Sequence, residues 1–131
     1  MQMTPDKKKN KLYIVVPCYN EEQVLGETSK RLKIKCENLI QKGQISKDSK
    51  IVFVDDGSKD RTWKMISELH ETDSLFSGVK LSRNRGHQNA LLAGLTMASE
   101  HADMAISMDA DLQDDINAVD QMIEKYYEGC D

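Results

Sequence analysis

The run Ala105-Ile106-Ser107-Met108-Asp109-Ala110-Asp111-Leu112-Gln113-Asp114-Asp115 decides the fold of this chain, because a short apolar segment breaks there abruptly into carboxylates. Such a run fits a buried parallel strand whose carboxyl end opens onto a ligand site. Asp109 and Asp111 are two positions apart, so on an extended chain both side chains point to one side. Converging carboxylates repel each other, and a divalent cation relieves that repulsion. Oxygen ligands select a hard ion such as Mg2+ or Mn2+, which completes its shell with water and phosphate oxygens. The competing reading makes these acids caps of the following helix, whose first turn favours negative charge. Asp114 and Asp115, directly before the amphipathic segment that begins at Ile116, are read as caps. For Asp109 and Asp111 the pattern alone leaves both readings open.

Upstream, Leu12-Tyr13-Ile14-Val15-Val16-Pro17 is apolar throughout, as a central parallel strand requires, and Pro17, which has no N–H for a ladder, is expected to end it. Cys18-Tyr19-Asn20-Glu21-Glu22 then forms a polar turn into a helix with Val24, Leu25, Thr28, Leu32, Cys36, Leu39 and Ile40 on one face and a stop at Lys42-Gly43. A second strand, Ile51 to Val54, runs into Asp55-Asp56-Gly57-Ser58. Ser58 or Asp60 can cap the next helix, marked by Trp63, Ile66 and Leu69. Gly78 to Leu81 reads as a weaker strand leading to Ser82-Arg83-Asn84-Arg85-Gly86-His87. The helix from Gln88 to Glu100 carries small Ala90, Ala93 and Gly94 for close packing on a sheet. His87 is read as a hydrogen-bonder at that helix start, and His70 and His101 lie near helix ends, where imidazolium suits the dipole. Strict alternation of strand and helix predicts a Rossmann-like, doubly wound α/β fold with a mostly parallel sheet and helices on both faces. Strand ends rich in acids gather along one sheet edge, which favours a true site at Asp109 and Asp111 over a set of unrelated caps.

Composition narrows the classes of function. The chain has 131 residues, a net charge of −4 and few aromatics, enough for one domain and without the basic surface of a nucleic-acid binder. Lys7, Lys8, Lys9 and Lys11 read as a flexible basic tail over residues 1–11, with the domain proper at 12–131. Cys18, Cys36 and Cys130 lack a metal or disulfide rhythm and are expected to be reduced thiols in the cytoplasm. The apolar run before Pro17 is too short for a signal core, and no stretch has the length of a membrane span. Neither Gly-x-Gly-x-x-Gly nor a Gly-Lys-Ser/Thr phosphate loop is present. Glu128-Gly129-Cys130-Asp131 reads as a helix end before a further strand, and the chain is expected to be a fragment.

Four stretches together carry a resemblance: Val15 to Glu22, Val54 to Trp63, Leu81 to Ala90 and Met108 to Asp114. In order and spacing the chain resembles the family-2 inverting glycosyltransferases of GT-A fold, within them the dolichyl-phosphate mannose synthase-like and bacterial polyprenyl-phosphate glycosyltransferases. The resemblance implies that Pro17, Tyr19, Glu21, Val54, Asp56, Asp109 and Ala110 bind the nucleotide, and that Asp111 and Gln113 hold Mg2+ or Mn2+. It implies a nucleotide-sugar donor, UDP-sugar first, and a polyprenyl-phosphate or glycan acceptor, at the cytoplasmic face of a membrane and in cell-surface polysaccharide or glycolipid synthesis. Arg83 and Arg85 stay outside the assigned site. One departure is Asp114-Asp115-Ile116-Asn117, where many relatives carry a proline pair. The second half of the family's domain is absent, with its acceptor site, the usual catalytic base and any membrane anchor, so no catalytic residue is assigned. The rival reading from another class is a non-catalytic, receiver-like signalling module, which would require an acidic pair after the first strand, where this chain has Pro17-Cys18-Tyr19-Asn20.

Overall fold

The computed structural model describes residues 10–111, 116 and 118–128. In chain order the elements are β1 (Leu12–Cys18), α1 (Leu25–Gln41), β2 (Lys50–Asp55), α2 (Thr62–Thr72), β3 (Phe76–Lys80), α3 (His87–His101), β4 (Met104–Ser107) and α4 (Ala118–Tyr127). The strands form one parallel sheet in the order β3-β2-β1-β4. Succession runs outward from β1 through β2 to β3, then jumps back across β1 to β4. The sheet therefore has a topological switch point between β1 and β4, where open α/β sheets form their ligand crevice.

The apolar strands are explained by burial on both faces. Ile14, Val16, Ile51 and Phe53 face one core with Leu25, Leu32 and Leu39 of α1, Ile66 of α2, and Val119 and Ile123 of α4. Val15, Val52 and Val54 face the other, under Ala90 and Ala98 of α3. The small residues of α3 serve close approach: a Cβ added to Gly94 would lie 2.4 Å from Val15 Cγ1 and 2.8 Å from Val54 Cγ2. The α1 stop also stands: Gly43 has φ +74°, its N–H bonds the Ile40 carbonyl, and the Gln44 N–H bonds that of Leu39, a glycine-terminated helix end that satisfies the last carbonyls.

Pro17 corrects one expectation, since it does not end β1. The strand continues to Cys18, with Pro17 opposite Val54 and Cys18 opposite Asp55. In a parallel ladder alternate residues turn their peptide groups to alternate neighbours. Val15 accepts from the Met108 N–H, on the β4 side, and Cys18 accepts from the Asp56 N–H, on the β2 side. The missing N–H of Pro17 thus faces β4, whose pairing with β1 has already stopped at Val15 opposite Ser107. Proline ends pairing with one neighbour only. Smaller differences are of boundary: β3 starts at Phe76 rather than Gly78, and β4 at Met104 rather than Ala105. Asp114 and Asp115, expected as caps of α4, lie outside the described residues.

Candidate functional site

The carboxyl ends of the strands are braced before any ligand is considered. Beyond β1, Asn20 sits in the left-handed region at φ +53°, a conformation asparagine tolerates better than most residues. Its side-chain oxygen accepts from the Lys59 N–H at 2.8 Å, and its own N–H donates to Ser58 Oγ at 2.8 Å. The Glu21 N–H donates to Thr62 Oγ1, the Glu22 N–H to Asp60 Oδ2, and the Arg61 N–H returns to Glu22 Oε1. Asp60 Oδ1 holds both the N–H and the hydroxyl of Thr62. Of the two expected caps of α2, neither occupies the cap position, which is Arg61; Asp60, one residue before it, holds the first helical residue Thr62, while Ser58 turns to the β1 loop. Burial opposes ionisation of Asp60, but the hydrogen bonds from Thr62 and from the Glu22 N–H outweigh it and lower its pKa.

Asp56 braces the opposite side. Its carboxylate is buried and accepts from the Arg85 N–H at 2.7 Å and the Gly86 N–H at 3.1 Å. Gly57, at φ +75°, lets the turn press against the next loop: a Cβ there would lie 2.4 to 2.9 Å from backbone atoms of Arg83 and Asn84. Asp55 points to the other side of the sheet edge, where one oxygen accepts from the Ser58 N–H and the other is buried without a partner among the described residues.

These braces frame a cleft of about 270 Å³ lined by Pro17, Cys18, Tyr19, Glu21, Asp56, Asn84, Gly86, His87 and Ala90. Four residues proposed from the sequence, Pro17, Tyr19, Glu21 and Asp56, are brought together here. Tyr19 is 40% exposed, with its ring available to a ligand. Val54 does not line the cleft; it is fully buried against α3, in one cluster with Ala90, which does. Reading the sequence assigned no ligand role to Asn84, Gly86 or His87. They lie within the Leu81 to Ala90 stretch that carries part of the resemblance, but what brings them to the cleft is the contact of Asp56 with the Arg85 and Gly86 amides, which cannot be read from local pattern.

Next to the cleft, at the end of β4, Asp109 is half-buried, Ala110 buried and Asp111 exposed. Their charges reach Glu21: burial, then Asp111, then Asp60 and Asp109, raise the Glu21 pKa against a hydrogen bond from the Tyr19 backbone that lowers it. Acids from the two strands flanking the switch point thus share one electrostatic environment. Oxygen-only donors in mutual repulsion fit a hard divalent cation. Among the described residues no three His, Cys, Asp or Glu converge into a closed cage, so such an ion would fill its shell with water or phosphate oxygens. Gln113, the second proposed metal ligand, lies outside the described residues. Cys18 and Cys36 are free and buried; burial, with Glu21 and Asp55, pushes the Cys18 thiol up, and burial with Glu37 pushes Cys36 up to about 12. Neither is poised as a nucleophile.

Comparison with known proteins agrees with this architecture. The uncharacterized glycosyltransferase YkoT of Bacillus subtilis (strain 168) is 52% identical over 120 residues, 92% of this chain and 36% of that protein. An undecaprenyl-phosphate 4-deoxy-4-formamido-L-arabinose transferase of Enterobacter sp. (strain 638) is 35% identical, covering 98% of this chain and 37% of its own. A prophage bactoprenol glucosyl transferase homolog of Escherichia coli (strain K12) is 38% identical, covering 92% and 37%. The chain spans about a third of the length of these curated relatives. In fold it is similar to mannosyltransferase PcManGT from Pyrobaculum calidifontis in complex with GDP-Man and Mn2+, with a TM-score of 0.62 at 24% identity over 79% of this chain and 28% of that one. It is also similar to S. aureus TarS 1-349 in complex with UDP-GlcNAc, with a TM-score of 0.64 at 20% identity over 89% and 32%. A model described as glycosyl transferase family 2 matches residues 13–131, which takes in every strand end described above, and the chain belongs to that family.

Proposed function

We propose that residues 12–131 form the nucleotide-sugar-binding part of an inverting glycosyltransferase that works with Mg2+ or Mn2+ and transfers a sugar to a polyprenyl phosphate or a glycan. The observation that carries this reading is the convergence at the switch point, where an aromatic-walled cleft from β1 meets the Glu21, Asp109 and Asp111 acids. Tyr19 and Pro17 offer apolar surface to the nucleobase, and Glu21 accepts from ribose hydroxyls. Asp56 has given one acceptor site on each oxygen to the Arg85–Gly86 loop, and its remaining lone pairs face ring N–H groups. Val54 acts from beneath, through Ala90. Asp109 and Ala110 border the nucleotide, and Asp111 with Gln113 would hold the cation. A bound cation would offset the negative charge that develops on the diphosphate as its bond to the sugar breaks.

In the transfer, an acceptor oxygen attacks the anomeric carbon opposite the leaving group. The bond to the diphosphate oxygen breaks with its electron pair, and the configuration inverts. A polyprenyl phosphate is already largely ionised near neutral pH, since the second pKa of a phosphomonoester is about 6, so it needs positioning rather than a general base. The undecaprenyl-phosphate and bactoprenol transferases named among the Enterobacter and Escherichia relatives favour that acceptor class over a glycan. A glycan hydroxyl would need a carboxylate base, which none of the residues assigned above supplies. A lipid acceptor places the whole protein at the cytoplasmic face of a membrane, held through parts outside this chain; among the described residues no helix is long and apolar enough to cross one.

Calorimetric titration of UDP, then GDP, into the intact protein tests the reading, with Mn2+, with chelator, and on Asp111→Ala. The expected result is metal-dependent binding of one nucleotide, weakened at least tenfold, or about 1.4 kcal/mol, by the substitution. Binding of neither nucleotide by the folded intact protein would overturn it.

A further inference from the structure

The tie that holds Asp109-Ala110-Asp111 in place comes from α1. Thr28 lies on the buried face of that helix among Leu25, Leu32 and Leu39, and is 3% exposed. A threonine or serine in a helix ordinarily returns its hydroxyl to a carbonyl three or four residues back. Ser29 does so to Gly26, Thr72 to Glu68 and Leu69, and Ser99 to Thr96. The Thr28 hydroxyl instead donates across the core to the carbonyl of Ala110. Ala110 is itself buried, 3% exposed.

The reason that carbonyl needs a partner lies in β1. The β1–β4 register sets Val15 opposite Ser107 and bonds the Met108 N–H to the Val15 carbonyl. Two residues on, the same pattern would send the N–H of residue 17 to the Met108 carbonyl, and proline has none. The chain after Met108 is thereby released from the sheet, and the Thr28 hydroxyl bonds it two residues later. The Ala110 carbonyl belongs to the planar peptide that joins Ala110 to Asp111. Fixing it fixes the direction in which Asp111 leaves, and with it the spacing of both acids. Because α1 follows directly from the Asn20–Glu22 brace, one helix positions both sides of the switch point.

We infer that Thr28 is a positioning residue for the donor site: its hydroxyl sets the Asp109–Asp111 turn so that the Asp111 carboxylate is presented to the cation. This inference rests on the donor-site reading above. Its test uses the intact protein and Thr28→Val, which keeps the shape without the donor, and Thr28→Ser, which keeps the donor. The nucleotide that binds the unaltered protein is titrated calorimetrically over a series of Mn2+ concentrations and in chelator. Thr28→Val is expected to raise the Mn2+ concentration for half-maximal binding about tenfold, the scale of one buried hydrogen bond. Thr28→Ser should return it to within about twofold, and Ser29→Ala, which breaks only a bond inside α1, should not move it. Should Thr28→Val fail to fold, Thr28→Ala supplies the same readout. An unchanged Mn2+ requirement in the hydroxyl-free variant, or equal loss in Thr28→Ser, would overturn the inference while leaving the donor site standing. Absence of nucleotide binding by the unaltered protein would overturn both.

Discussion

At Gly57 the conformational and the steric demands coincide. Its φ of +75° excludes most side chains, and a Cβ would meet the Arg83–Asn84 backbone, which cannot swing aside as a side-chain tip does. Gly57→Ala should therefore cost about 1–3 kcal/mol in urea-melt stability, with the damage greatest in the Ser82–Gly86 loop. Asp60 gives a pH signature. Its folded pKa is lowered, so its contribution is fully present above the unfolded value of about 3.9 and is lost as pH falls through the lower folded value. Melts of the wild-type protein and of Asp60→Asn should differ near neutral pH and converge as pH drops below about 4. A constant gap down to the acid limit would mean that Asp60 acts through shape, not charge.

Single elements are held by a few cross-strand acceptors and close contacts. The loop between β3 and α3 lies on Asp56 through the Arg85 and Gly86 amides. Hydrogen bonds to a charged acceptor are worth about 1.5–3 kcal/mol, so in Asp56→Ala the exchange of those two amides should accelerate about ten- to a hundredfold. Amides in the middle of β1 should be unaffected, and hydrogen-exchange mass spectrometry separates the two regions. Helix α3 has a different dependence. Gly94 meets Val15 and Val54 with no room for a methyl group, and Gly94→Ala should destabilise by about 1–3 kcal/mol despite the better helix propensity of alanine. A gain in thermal midpoint would show that α3 slides along the sheet at no cost.

Across the whole molecule, two unequal cores clamp one sheet. Phe53, fully buried and stacked on Phe76 at 6.1 Å between ring centroids, belongs to the larger core with α1, α2 and α4. Phe53→Ala should cost about 3–5 kcal/mol, a large share of the roughly 5–15 kcal/mol of an ordinary domain. Leu92, 62% exposed on α3, is a contrasting apolar residue whose replacement by alanine should stay within about 0.5 kcal/mol. Chemical denaturation of the two variants measures the difference.

Much of this organisation was legible in the chain itself. Alternating strands and helices, acids at strand ends and small residues on α3 are local patterns, and local patterns follow from backbone periodicity and burial, which neighbouring residues share. The parallel doubly wound sheet could be read that way, whereas Tyr19, Glu21 and Asp56 are assigned to one site through the family resemblance and not through periodicity. The strand order β3-β2-β1-β4, which puts the switch point between β1 and β4, depends on which strands pair, a choice made by packing between residues far apart in sequence. The same holds for Pro17, whose missing N–H matters only on the side of β4, and for Thr28, which looks like one more small residue on a helical face until the fold sets it beneath the Ala110 carbonyl. Residue type and spacing determined which groups meet the sheet edge; only the tertiary structure decided which of them meet one another, because hydrogen-bond partners 82 residues apart leave no periodicity to read.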